Sequence, residues 1–239
     1  MQKQVVVIPE FPSALKLLSE PAKLATLAAY AAEIKRYAKQ NSIKAYIDLS
    51  ELKAKEALEI KKIFLLRGVP VLLRGKEDIA ELAADNIEVI AKNLLEKCLT
   101  DPDKIESALQ EELQKLENSV ETVKVSFPIP TAIVVDMPKL VHNLTFVELR
   151  RLIEDLRLSN LPVYFLFEEK NDEAYKALVE FGLHRSAVTF SKAYQVFLTA
   201  DRQILSPLVF VYIGYDNKEK KRVVELMVDE DTIQLLPSQ

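Results

Sequence analysis

Carboxylates at the ends of apolar runs are where this chain could do chemistry. Asp136 closes the run Ala132-Ile133-Val134-Val135, Glu168 and Glu169 close Val163-Tyr164-Phe165-Leu166-Phe167, and Asp48 sits within Ala45–Leu49. Two or three carboxylates gathered at one edge of a parallel sheet can hold Mg²⁺ or Mn²⁺, and a metal pair can activate water against a phosphodiester. Asp201, in Leu198-Thr199-Ala200-Asp201-Arg202, is a further acidic candidate. The same aspartates also suit a plain structural role as caps of helices or turns.

Other chemistries are poorly provided for. His142 and His184 are the only histidines and stand far apart with no cysteine or histidine beside either, so neither a zinc site nor a Ser-His-Asp triad is expected from them. Cys98 is the one cysteine; it excludes an intramolecular disulfide and reads as a small apolar helix residue in a reducing compartment. Four glycines occur, Gly68, Gly75, Gly182 and Gly214, and their spacing writes neither a G-x-G-x-x-G loop nor a Walker loop. No cofactor, metal ligand set or catalytic residue is therefore assigned.

The elements that must position these side chains follow from apolar periodicity. Strands are expected at Val5–Ile8, Ala45–Leu49 and Val69–Leu73, with a helix from about Pro21 to Gln40 and another from Glu51 to Leu66 that Ser50 would cap. Arg67-Gly68 ends the second helix. From Lys76 to Thr122 the pattern reads as helix throughout, with a break at Asp101-Pro102. A strand at Ala132–Val135, a helix at Phe146–Leu158 and a strand at Val163–Phe167 form a strand-helix-strand unit, which parallel pairing makes right-handed. A helix at Asn171–Phe181 follows, then strands at Ala187–Phe190, Gln195–Leu198, Leu208–Ile213, Arg222–Val228 and Thr232–Leu236. The charged run Tyr215–Lys221 makes a hairpin turn.

The fold class is thus α/β: two lobes with mainly parallel sheets joined by a helical connector, the C-terminal lobe having antiparallel edge strands. The expected division is an N-terminal lobe over 1–76, the connector over 77–125 and the C-terminal lobe over 126–239. Both lobes place an aspartate after or within one strand and a proline at the start of the next, as in Gly68-Val69-Pro70-Val71 and Asn160-Leu161-Pro162-Val163. A duplication and two independent lobes both fit that pattern.

Composition narrows the class. At 49% hydrophobic and 28% charged residues the chain is ordinary globular material, and a net charge of −4 argues against coating nucleic acid by bulk charge. The opening Met-Gln-Lys-Gln-Val-Val-Val-Ile-Pro is too short an apolar run for a signal peptide, and no stretch approaches the ~20 apolar residues of a membrane span. A soluble cytoplasmic protein with no membrane partner is expected.

Two resemblances follow from these residues. Asp136 in Val-Val-Asp-Met-Pro-Lys-Leu and Asp201 in Leu-Thr-Ala-Asp-Arg resemble the first and the Thr-x-Asp motifs of PIN and NYN nucleases. The order of elements resembles the RecJ-like DHH phosphoesterase superfamily, which includes archaeal counterparts of the eukaryotic cell-division-cycle replication factor that partners GINS and the MCM helicase. Where active members carry Asp-x-Asp, this chain has Pro9-Glu10-Phe11-Pro12-Ser13; Asp48 could stand for the single aspartate; and Arg74-Gly75-Lys76-Glu77-Asp78 follows the third strand. His184-Arg185-Ser186 falls where the accessory lobe has an Arg-Ser pair, and its Gly-Gly-Gly-His signature is missing.

That resemblance implies a catalytically inactive RecJ-like scaffold acting through protein contacts in DNA replication, with GINS- and MCM-type partners and weak single-stranded DNA binding. Arg67, Arg74, Lys76, Arg185 and Lys192 are the candidate phosphate contacts. The alternatives are a metal-dependent PIN- or NYN-type ribonuclease using Asp136 and Asp201, and an α/β adaptor unrelated to nucleic acid.

Overall fold

The computed structural model describes residues 3–72, 87–98, 105–170, 172–189 and 209–228. They build an α/β protein with two sheets, each dominated by parallel pairing, and with an antiparallel strand at one edge of the second. Contacts divide the chain into two units, residues 1–10 with 35–125 and residues 11–34 with 126–239.

Unit 1 holds the strands β1 (Lys3–Glu10), β2 (Ile43–Asp48), β3 (Val71–Leu72) and β4 (Glu121–Ser126) in the order β3-β2-β1-β4. Helix α1 (Glu20–Gln40) precedes β2, α2 (Ala54–Leu66) joins β2 to β3, and α3 (Ile87–Cys98) and α4 (Ile105–Ser119) come before β4. β1 buries Val5 and Val7, and β2 buries Ala45, Tyr46 and Ile47, because both pack on a central parallel sheet. The tip of α2 ends in a Schellman motif. Gly68, at φ 74°, donates to Leu65 at 2.9 Å and Val69 donates to Phe64 at 2.9 Å, both as backbone bonds.

Two expectations for this unit need correction. Ser50 does not cap α2, which starts at Ala54 after Lys53 with no side-chain cap. The Asp48 carboxylate instead takes the Ser50 backbone N–H at 2.8 Å, a local turn that holds the chain out of helix before α2 begins. The run expected as helix to Thr122 ends in a strand, β4, where Thr122-Val123-Lys124-Val125 alternates polar and β-branched residues.

Unit 2 holds β5 (Ala132–Asp136), β6 (Val163–Phe167), β7 (Ala187–Thr189), β8 (Val209–Asp216) and β9 (Lys221–Val228) in the order β7-β6-β5-β8-β9. β5 pairs parallel with β6 and β8, and β9 returns antiparallel along β8. Between β5 and β6 the chain forms a short helix α5 (Met137–Val141) and then α6 (Phe146–Arg157); α7 (Glu173–Glu180) joins β6 to β7. One face of the sheet packs Ile133, Val135, Phe165, Val211 and Ile213 against Leu149, Leu152, Ile153 and Leu156 of α6 and Leu178 of α7. Ala28 and Ala29, from the part of α1 that belongs to this unit, join the same core. Tyr30 is buried, stacks on Phe127 with ring centres 4.3 Å apart and donates its hydroxyl to the Pro128 carbonyl at 2.6 Å.

The helix ends are well made. Thr145 and Glu148 form a reciprocal capping box on α6, and the two bonds that Thr145 gives hold the Glu148 carboxyl below its usual range. Helix α7 is capped by Asp172 and ends, like α2, in a Schellman turn at Gly182, whose φ is 72°. A Cβ at Gly182 would meet nothing within 4 Å. Gly182→Ala therefore isolates the backbone cost of the left-handed conformation, and thermal or urea unfolding should register a loss of about 1 kcal/mol.

Candidate functional site

The chain order of the second sheet reverses between β5 and β8, and at such a switch point the carboxyl ends of the strands form the usual ligand crevice. Asp136 is the last residue of β5 and lies there with its side chain 4% exposed. Its position is set from both sides. All five residues of β5 are buried, so the strand cannot slip by one without turning the carboxylate to the other face. Met137-Pro138 then starts α5, and Asp136 caps it by accepting the Lys139 backbone N–H at 3.2 Å.

The second partner comes from β8. Tyr212 pairs with Val134, and its side chain runs along the strand over Gly214, where an added Cβ would lie 2.4 Å from the phenol oxygen. The space left by that glycine lets the Tyr212 hydroxyl reach Asp136 and donate to its Oδ2 at 2.7 Å. Lys139 completes the cluster. Its Nζ lies 3.2 Å from the same Oδ2, donates to the Tyr212 oxygen at 3.0 Å, and sits 5.5 Å from the centre of the ring. The Lys139 side chain is 45% exposed, so the cluster is closed beneath and wet above.

The electrostatics are consistent with that geometry. Burial, then the charge of Asp136 and the hydrogen bond to it, push the Tyr212 phenol far above its usual range, so the hydroxyl stays a donor. An ionised carboxylate accepts only, and here both oxygens are supplied: Oδ1 by a backbone N–H, Oδ2 by a phenol and an ammonium. The capping role foreseen as one use of Asp136 is the one the geometry displays, joined by an internal counter-ion.

The other candidate residues are not drawn into this cluster. Glu168 and Glu169 are exposed, and their backbone N–H groups donate to Asp172, each at 3.1 Å. Asp48 belongs to unit 1 and is engaged with Ser50. Exposed His142 lies 3.6 Å from Glu173, and His184 and Arg185 are exposed. Arg67 is the C-cap of α2, and Cys98 closes α3. Asp201, Arg74, Lys76, Lys192 and the strands expected at Gln195–Leu198 and Thr232–Leu236 lie outside the described residues. Among the described residues no group of three or more His, Cys, Asp or Glu side chains could hold a metal ion, and no helix is long and apolar enough to cross a membrane.

On the side of the sheet that α6 covers, α6 and the β8–β9 hairpin border an open cleft of about 570 Å³ lined by Arg151, Lys220, Arg222, Glu148, Asp155 and Tyr215, among others. Its charges are mixed in sign. Comparison of the chain with protein-family models, with curated proteins and with solved structures returned no match.

Tyr212, Lys139 and Gly214 were not singled out from the sequence. The available signals were weak: a lysine three residues after a strand-end aspartate, and a glycine two residues after a tyrosine in an apolar run. The cluster has a consequence at alkaline pH. Because the folded-state pKa of Tyr212 is raised, its stabilising contribution is complete below the unfolded tyrosine value of about 10 and falls as pH rises beyond it. Tyr212→Phe should unfold at lower temperature than wild type near neutrality and lose less stability above pH ~10, with the buried Tyr30 supplying the remaining alkaline loss. Thermal unfolding across pH checks both.

Proposed function

We propose that the chain is a catalytically inactive RecJ-like scaffold that acts through protein–protein contacts in DNA replication, with GINS- and MCM-type proteins as partners and weak single-stranded DNA binding. The observation that carries the non-catalytic part is the occupation of Asp136 by Tyr212, Lys139 and the first turn of α5. A metal-binding carboxylate at a sheet edge keeps lone pairs directed at open space, and a neighbouring ammonium repels the cation it would hold. Asp136 has its charge balanced within the fold, and the α/β frame around it is what a scaffold retains when chemistry is not required. The replication context comes from the resemblance in the order of elements.

The test has two readouts on the purified full chain. In size-exclusion chromatography with purified GINS-type and MCM-type proteins, a co-eluting complex is expected. With single-stranded RNA or DNA and Mn²⁺, no cleavage is expected. Cleavage that is abolished in Asp136→Asn would overturn the reading and favour a PIN- or NYN-type nuclease. Failure to bind either replication protein would overturn the partner assignment.

A further inference from the structure

Helix α2 is apolar on two sides. It buries Ala57, Ile60 and Phe64 inside unit 1, yet leaves Leu58, Leu65 and Leu66 53%, 46% and 86% exposed. At 3.6 residues per turn Leu58 and Leu65 lie two turns apart on one line, with Lys62 between them and Leu66 alongside. A helix with one packed face normally turns charged and polar residues outward. Single exposed leucines are commonplace, but three on one helix face make a patch of the kind that marks interaction surfaces.

Charge indicates what covers it. Lys55 and Lys62 are exposed within or beside the leucine line, Lys61 flanks it, and Glu59 is the acidic residue on that side. We propose that the outer face of α2 docks an acidic amphipathic helix of a partner protein, whose leucine-type stripe covers Leu58, Leu65 and Leu66 while its carboxylates meet Lys55, Lys61 and Lys62. The inference rests on the scaffold reading and gives the partner's contacting element its chemistry. A second copy of α2 fits less well, because antiparallel pairing of the leucines sets lysine against lysine. A lipid surface is the other occupant that a leucine- and lysine-bearing helix face can meet, and the vesicle arm of the test below separates it.

Fluorescence anisotropy of the full chain tests the proposal with two labelled peptide helices. Both carry leucine at every third and fourth position; one has glutamate and the other lysine at the flanking positions. The glutamate peptide should bind at least about ten-fold more tightly than the lysine peptide. Leu58→Gln/Leu65→Gln should abolish that binding, and Lys55→Glu/Lys62→Glu, which keeps the leucines, should reverse the preference between peptides. Circular dichroism confirms that each variant is folded. The proposal is overturned by equal binding of the two peptides, by no binding, or by binding that the variants leave unchanged. It is also overturned if the leucine variant instead removes self-association in sedimentation or binding to anionic phospholipid vesicles. None of these results touches co-elution with replication proteins, so the scaffold reading stands or falls separately.

Discussion

A carboxylate taken out of water must be supplied with donors and counter-charge, and the centre of the second sheet is arranged around doing that for Asp136. Leaving such a charge unpaired in the interior costs several kcal/mol, of the order of ~3–5 when one partner of a buried pair is removed. The fold meets this with three donors from two elements: the phenol of Tyr212 on β8, and the amide and ammonium of Lys139 on α5. Each imposes its own constraint. Tyr212 can lie along its strand only because position 214 is glycine, and Lys139 can return only because a short helix starts directly after β5. The contact also ties β5 to β8 where the sheet reverses its chain order.

This constraint separates two uses of the same architecture. At the switch point of a parallel sheet an acidic strand end is an obvious place for a metal ion, which makes the aspartates attractive from the sequence. At Asp136 an ammonium 3.2 Å away supplies the positive charge that a cation would bring. The exposed leucine and lysine face of α2, in the other unit, adds a surface suited to contact rather than catalysis.

Much of the architecture was legible because it rests on period and punctuation. Apolar runs located β5 and β6, the three- and four-residue spacing of Leu149, Leu152, Ile153 and Leu156 located α6, and Gly68 and Gly182 marked two helix ends. The prolines did the same for strand starts, since the Pro70 and Pro162 carbonyls accept from Ile47 and Ile133 at 2.9 and 2.8 Å. What could not be read was set by contacts between residues distant in the chain. Chain order does not reveal that residues 11–34 group with 126–239, nor that Tyr212 meets Asp136, 76 positions earlier in the sequence. Ser50 was misread because the turn closed by the Asp48 carboxylate on its backbone N–H delays α2 to Ala54, leaving the serine too far ahead of the helix to be its cap. β4 was misread because a short alternating run follows directly on a long helix.

The most direct test of the central claim is a double-mutant cycle in urea between Asp136→Asn and Tyr212→Phe. If the carboxylate depends on the phenol, the losses are non-additive, with a coupling of about 1 kcal/mol or more. Losses that add to within ~0.5 kcal/mol would contradict the account and leave the Asp136 carboxylate available for other partners.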